Sequence, residues 1–184
     1  MKRREAIRRL AIGGTASVIG AHAKVALPVD AAHEPGSRRR SARFVHFTDV
    51  HVHPGRSAAK GLAKAIRHVH GLTDRPEFII NGGDAIGDAL EVGRDDVETQ
   101  WGLWEGAWKE NGSLTVRHCL GNHDVWGWNK AKSKTNGDEP GWGKQLALDH
   151  LGLERSYYRF DQAKWRFLVL DSMTFDQQFP ARCL

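Results

Sequence analysis

The chain has 184 residues, 40 % hydrophobic and 27 % charged, which allows one domain with a sizeable core and excludes a wholly disordered polypeptide. Its formal charge of +5 invites an acidic partner, but Lys2, Arg3, Arg4, Arg8 and Arg9 face only Glu5 within the first 23 residues. The remainder is almost neutral, so the excess marks the leader, and no nucleic-acid scaffold role is expected.

Residues 1–23 read as a processing segment. A basic start precedes the weakly apolar run Leu10 to Gly20. Ala21-His22-Ala23 then supplies the small residues a signal peptidase needs, and cleavage is expected after Ala23. Arg3-Arg4-Glu5-Ala6-Ile7-Arg8 resembles a twin-arginine export signal, with Ala6 in place of the usual aromatic. That route carries folded proteins. The twin-arginine export machinery is therefore an expected partner, and the periplasm or extracellular space the expected location. No stretch is long and apolar enough to leave a stable membrane span after cleavage. Residues 24–42, with the basic cluster Arg38, Arg39 and Arg40, read as a solvated linker, and the domain as 43–184.

Phe44-Val45-His46-Phe47 is a short apolar run that suits a buried strand. Residues 57–70 predict a helix with Leu62, Ile66 and Val69 on one face. Phe78-Ile79-Ile80 is the next strand, punctuated by Pro76. Residues 95–109 predict an amphipathic helix whose stripe of Val97, Trp101, Trp104 and Trp108 reads as core packing. Leu114 to Leu120 is a third strand, with Cys119 as a small buried side chain. The two cysteines, Cys119 and Cys183, form neither a disulfide framework nor a metal-type pair. A Gly-, Lys- and Asn-rich loop, 125–143, precedes a short helix at 145–151. Strands at 157–160 and 165–170 follow, joined by a turn at 161–164. In the loop, Trp126, Trp128 and Trp142 suit packing better than a substrate rim. The β-α-β-α-β order favours parallel strands with right-handed helical crossovers.

Three polar clusters stand at the carboxyl ends of the first three strands: Asp49-Val50-His51, Gly82-Gly83-Asp84 and Gly121-Asn122-His123-Asp124. In open α/β sheets, ligands bind outside those ends. Imidazole and carboxylate donors without thiolate suit Mn, Fe or Zn. On a strand, the side chains of Asp49 and His51 would leave on one side, two residues apart. A carboxylate such as Asp84 can bridge two cations with its two oxygens. Glycines before it let the backbone turn close to them.

The set D-x-H, G-G-D and G-N-H-D, together with Tyr157 to Asp161 and Phe167 to Ser172, resembles the calcineurin-like metallophosphoesterases over about residues 43–172. The resemblance implies an α/β/β/α sandwich and hydrolysis of phosphate mono- or diesters at a centre of two divalent metal ions. It assigns Asp49 and His51 to the first metal, Asp84 to a bridge and Asn122 to the second. It gives His123 a role on the substrate phosphate and Asp124 the orientation of the His123 ring. Members of the family complete the centre with a later lone His and Gly-His-x-His, whereas no histidine follows His150 here. The sandwich is therefore expected to be incomplete at the C-terminus, as a fragment or as a degenerate, non-catalytic relative. A rival reading pairs His51 and His53 as the His-x-His of an amidohydrolase barrel, which leaves G-G-D and G-N-H-D unexplained. Gly82-Gly83-x-x-x-Gly87 does not match a dinucleotide loop.

Overall fold

The computed structural model describes residues 41–55 and 57–173. The leader, most of the linker and Cys183 lie outside the described residues. Three parallel strands form one sheet in the order β1-β2-β3: β1 (Phe44–Phe47), β2 (Phe78–Asn81) and β3 (Thr115–His118). Their register places Phe44 beside Phe78 beside Thr115, and Phe47 beside Asn81 beside His118. Helix α1 (Ala58–His70) links β1 to β2, and α2 (Arg94–Asn111) links β2 to β3. A sheet that grows in one direction through crossovers of one hand must carry both helices on the same face. The two helices indeed pack against each other.

Sequence period explains that face. Leu62, Ile66 and Val69 line the buried side of α1, and Val97, Trp101 and Trp104 that of α2. Trp108 packs on Phe47 of β1 with ring centroids 6.1 Å apart. The tryptophan stripe is core, as expected. Asp95 and Asp96 in the first turn of α2 complement the positive end of its dipole. Truncating a fully buried side chain such as Trp101 to alanine costs about 3–5 kcal/mol.

The opposite face is covered by the antiparallel hairpin β4 (Tyr158–Gln162) and β5 (Trp165–Val169). Its turn residues Ala163 and Lys164 both have positive φ, as a two-residue hairpin that follows the strand twist requires. Phe160 and Phe167 stack at 4.8 Å and meet Phe78 edge-on. The Tyr158 hydroxyl reaches the free edge of β3, accepting from the His118 N–H and donating to the His118 carbonyl, each at 2.9 Å. One side chain thereby satisfies both backbone groups of an edge residue.

Between β3 and β4 the chain forms a 3₁₀ turn at Asn122–Asp124, a one-turn helix α3 (Lys130–Ser133) and helix α4 (Gln145–Leu151). Helix α3 lies inside the segment read as loop. Its signal is one Asn129 cap, accepting from Lys132 N–H, in a run too short to show a period. Trp126 and Trp128 are buried, so this segment folds onto the core. His150 of α4 stacks on Trp101 at 5.2 Å and pairs with Glu98 and Glu105, fixing α4 to α2. Among the described residues, no helix is long and apolar enough to cross a membrane.

Candidate metal centre

The three polar clusters follow β1, β2 and β3 directly, so the parallel sheet delivers them to one end. Backbone hydrogen bonds tie the first cluster to the second: Asp49 N–H donates to the Gly83 carbonyl at 3.1 Å and His51 N–H to that of Asp84 at 3.0 Å. The second is tied to the third by His123 N–H, which donates to Asp84 Oδ1 at 2.9 Å. Two glycines make this approach possible. A Cβ on Gly121 would lie 2.1 Å from Asp84 Oδ1, and one on Gly83, at φ +101, would lie 2.5 Å from Gly121 N.

Among the described residues, the ligand atoms of His51, Asp84 and His123 lie within 4.8 Å of one another. His51 Nε2 stands 3.9 Å from Asp84 Oδ2, and the two imidazoles meet edge to face with centroids 4.8 Å apart. At this spacing His51 and Asp84 can donate to a divalent transition metal, with the His123 ring either completing the set or facing a ligand on it. The His123 Nδ1 is buried without a hydrogen-bond partner, a cost the protein bears in the absence of a ligand. The residues fit a metal ion on both counts.

The remaining predicted residues sit around this group. Asp49 does not join it; its Oδ2 accepts from the Thr48 hydroxyl at 2.6 Å. The argument from strand alternation fails here, because Asp49 and His51 have φ of 54 and 49 and are not extended. Asp84 shares this left-handed backbone at φ 51, so Asp49, His51 and Asp84 are strained in the same sense. Asn122 opens the 3₁₀ turn, half-buried, immediately before His123.

The role read for Asp124 requires correction. Its carboxylate does not hold the His123 ring, whose Nδ1 is unpartnered. Oδ1 accepts from Ala85 N–H at 2.9 Å and Ile86 N–H at 3.3 Å, and Oδ2 accepts from Gly121 N–H at 2.8 Å. Asp124 is fully buried and clamps the second cluster's backbone to the third. Burial pushes its carboxyl up to about 7, against the pull of the three N–H donors.

The rival pairing of His51 with His53 is not assembled. His53 is exposed and its Nδ1 faces the Pro54 carbonyl, while the sheet topology is not that of a barrel. Sequence reasoning passed over Gln100, a buried amide on α2 that bonds both backbone groups of Asp88. The available signal was a polar residue inside the apolar stripe between Val97 and Trp101.

The family model for calcineurin-like phosphoesterases matches residues 42–178. A search of curated proteins found no match. The chain belongs to the calcineurin-like phosphoesterase family.

Proposed function

We propose that this member of the calcineurin-like phosphoesterase family hydrolyses phosphate mono- or diesters at a divalent-metal centre built on Asp49, His51, Asp84 and Asn122, with His123 beside the substrate phosphate. One observation carries the reading: His51, Asp84 and His123 converge at the carboxyl ends of three parallel strands. In this reading His51 and Asp84 are principal donors, and Asp84 would be shared between two ions. Asp49, two residues before His51, and Asn122, one before His123, complete the proposed set. The donor chemistry favours Mn, Fe or Zn, and the family reading is of two ions. When bound, the metal supplies Lewis acidity toward the phosphoryl oxygens and the attacking water.

The residues themselves do the positioning. The backbone N–H of His123 donates to Asp84 Oδ1, which fixes the turn that carries the His123 ring beside that carboxylate. That ring is offered for proton donation to the leaving oxygen, a contribution of roughly 10²–10⁴-fold in such sites. Asp124 holds the turn beneath both. The leader reading adds export through the twin-arginine route. N-terminal sequencing of secreted protein, expected to begin at Lys24, tests that separately; an intact leader on exported protein would refute it.

The test of activity is hydrolysis of p-nitrophenyl phosphate and bis(p-nitrophenyl) phosphate by the full chain with Mn²⁺. The rate should vanish with a chelator and in Asp84→Ala, and return when Mn²⁺ is restored to the wild-type protein. A metal-independent rate, or an undiminished rate in Asp84→Ala, would overturn the reading.

A further inference from the structure

Gln100 is 1 % exposed, in the middle of the tryptophan stripe of α2, where an apolar side chain would be the ordinary choice. Both ends of its amide are used on a single residue. Oε1 accepts from Asp88 N–H at 2.9 Å, and Nε2 donates to the Asp88 carbonyl at 2.8 Å. A two-point amide clamp of this kind fixes both the position and the orientation of the backbone unit it grips. The residue it grips lies near the end of the segment 84–89.

That segment is held at two places. Near its start, the Asp124 carboxylate takes the N–H groups of Ala85 and Ile86. Near its end, Gln100 takes both groups of Asp88. The next residue, Ala89, donates its N–H to the His123 carbonyl at 2.9 Å, so the segment also sets the third cluster. Within it, the Asp84 carbonyl receives His51 N–H, and Val52 N–H donates to the Ala85 carbonyl. All three converging residues are therefore hung from the one stretch that Gln100 grips. Asp84 sits in it at φ 51, a backbone state that persists only where the surroundings over-determine it.

We propose that Gln100 is a positioning residue for the metal centre: through Asp88 it holds the 84–89 segment so that His51, Asp84 and His123 converge. The inference rests on the metal reading above and adds to it a residue on another element that contacts none of the three. Groups bonded directly to a metal's ligands commonly set affinity by 10–100-fold; acting one backbone segment further out, Gln100 is expected at the low end, about tenfold.

The experiment measures Mn²⁺ affinity of the full chain by the electron paramagnetic resonance signal of free Mn²⁺, beside the melting temperature of each variant. Gln100→Met keeps the length of the side chain but offers the Asp88 backbone neither donor nor acceptor. Gln100→Leu removes both bonds and keeps an apolar stripe. Val69→Ala, a buried change on α1, serves as a control for lost stability alone. Both Gln100 variants should bind Mn²⁺ about tenfold more weakly, while Val69→Ala keeps wild-type affinity at a lower melting temperature. Wild-type affinity in a folded Gln100→Leu or Gln100→Met protein would overturn the inference and leave the metal reading standing. Equal weakening in Val69→Ala would reduce Gln100 to a stability residue and overturn it as well. Absence of Mn²⁺ binding by the wild-type chain would instead overturn the metal reading, and the positioning role with it.

Discussion

Replacing Asp124 with alanine removes the acceptor of three backbone N–H groups at once. Those of Ala85 and Ile86 belong to buried residues, where Asp124 is 0 % exposed and supplies the carboxylate that satisfies them. A buried donor left unpaired costs about 1–3 kcal/mol, so these two together cost about 2–6 kcal/mol. The Gly121 N–H is half-buried and adds little. For a chain of this size, each kcal/mol moves the melting temperature by about 2–4 °C, so the variant should melt roughly 5–20 °C lower. Asp124→Asn is the sharper comparison. Its oxygen can keep Ala85 and Ile86, but its amide then turns a donor toward Gly121 N–H, for a loss of about 1–2 kcal/mol. Differential scanning calorimetry at neutral pH separates the three proteins. A melting temperature for Asp124→Ala within 2 °C or so of wild type would refute the clamp.

Burial lowers the His118 imidazole to about 4 from 6.5. A folded-state value below the unfolded one means that this contribution is complete above pH 6.5 and is lost as the pH falls toward 4. The shift corresponds to at most about 3 kcal/mol, and His118→Gln should flatten the fall in stability between those pH values in urea titrations; an unchanged slope would contradict it. Tyr158→Phe strips the β3 edge of its hydroxyl and should cost about 1–2 kcal/mol in the same assay, with no change expected if the His118 backbone finds other partners. Gly121→Ala drives a Cβ into the Asp84 carboxylate and backbone, so Mn²⁺ affinity should fall at least about tenfold, and wild-type affinity would show that the two loops are not in contact.

Much of this was legible from residue order because it depends on local period. The stripes of α1 and α2 announce their buried faces, and α4 falls at Gln145–Leu151 as read. The placement of Asp49-x-His51, Gly-Gly-Asp and Gly-Asn-His-Asp after three strands was also legible, since parallel strands put their carboxyl ends together. The backbone at Asp49, His51 and Asp84 was not. Alternation assumes extended geometry, and a left-handed residue between elements is set by bonds to Gly83, Asp84 and Ala85, which come from another strand. Asp124 was misread for a related reason: adjacency to His123 suggested a partner in the ring, while two of its three partners lie 38 and 39 residues earlier. Gln100 belongs to the same class, because only the fold brings it to Asp88.

The central claim is that the chain gathers donors from three strand ends around a divalent cation. Titration of the full chain with Co²⁺, followed by visible absorption, tests it most directly. The account predicts ligand-field bands that saturate with added metal in the wild type and weaken sharply in Asp84→Ala and His51→Ala. A wild-type spectrum no different from Co²⁺ in buffer, or one that neither substitution alters, would contradict it.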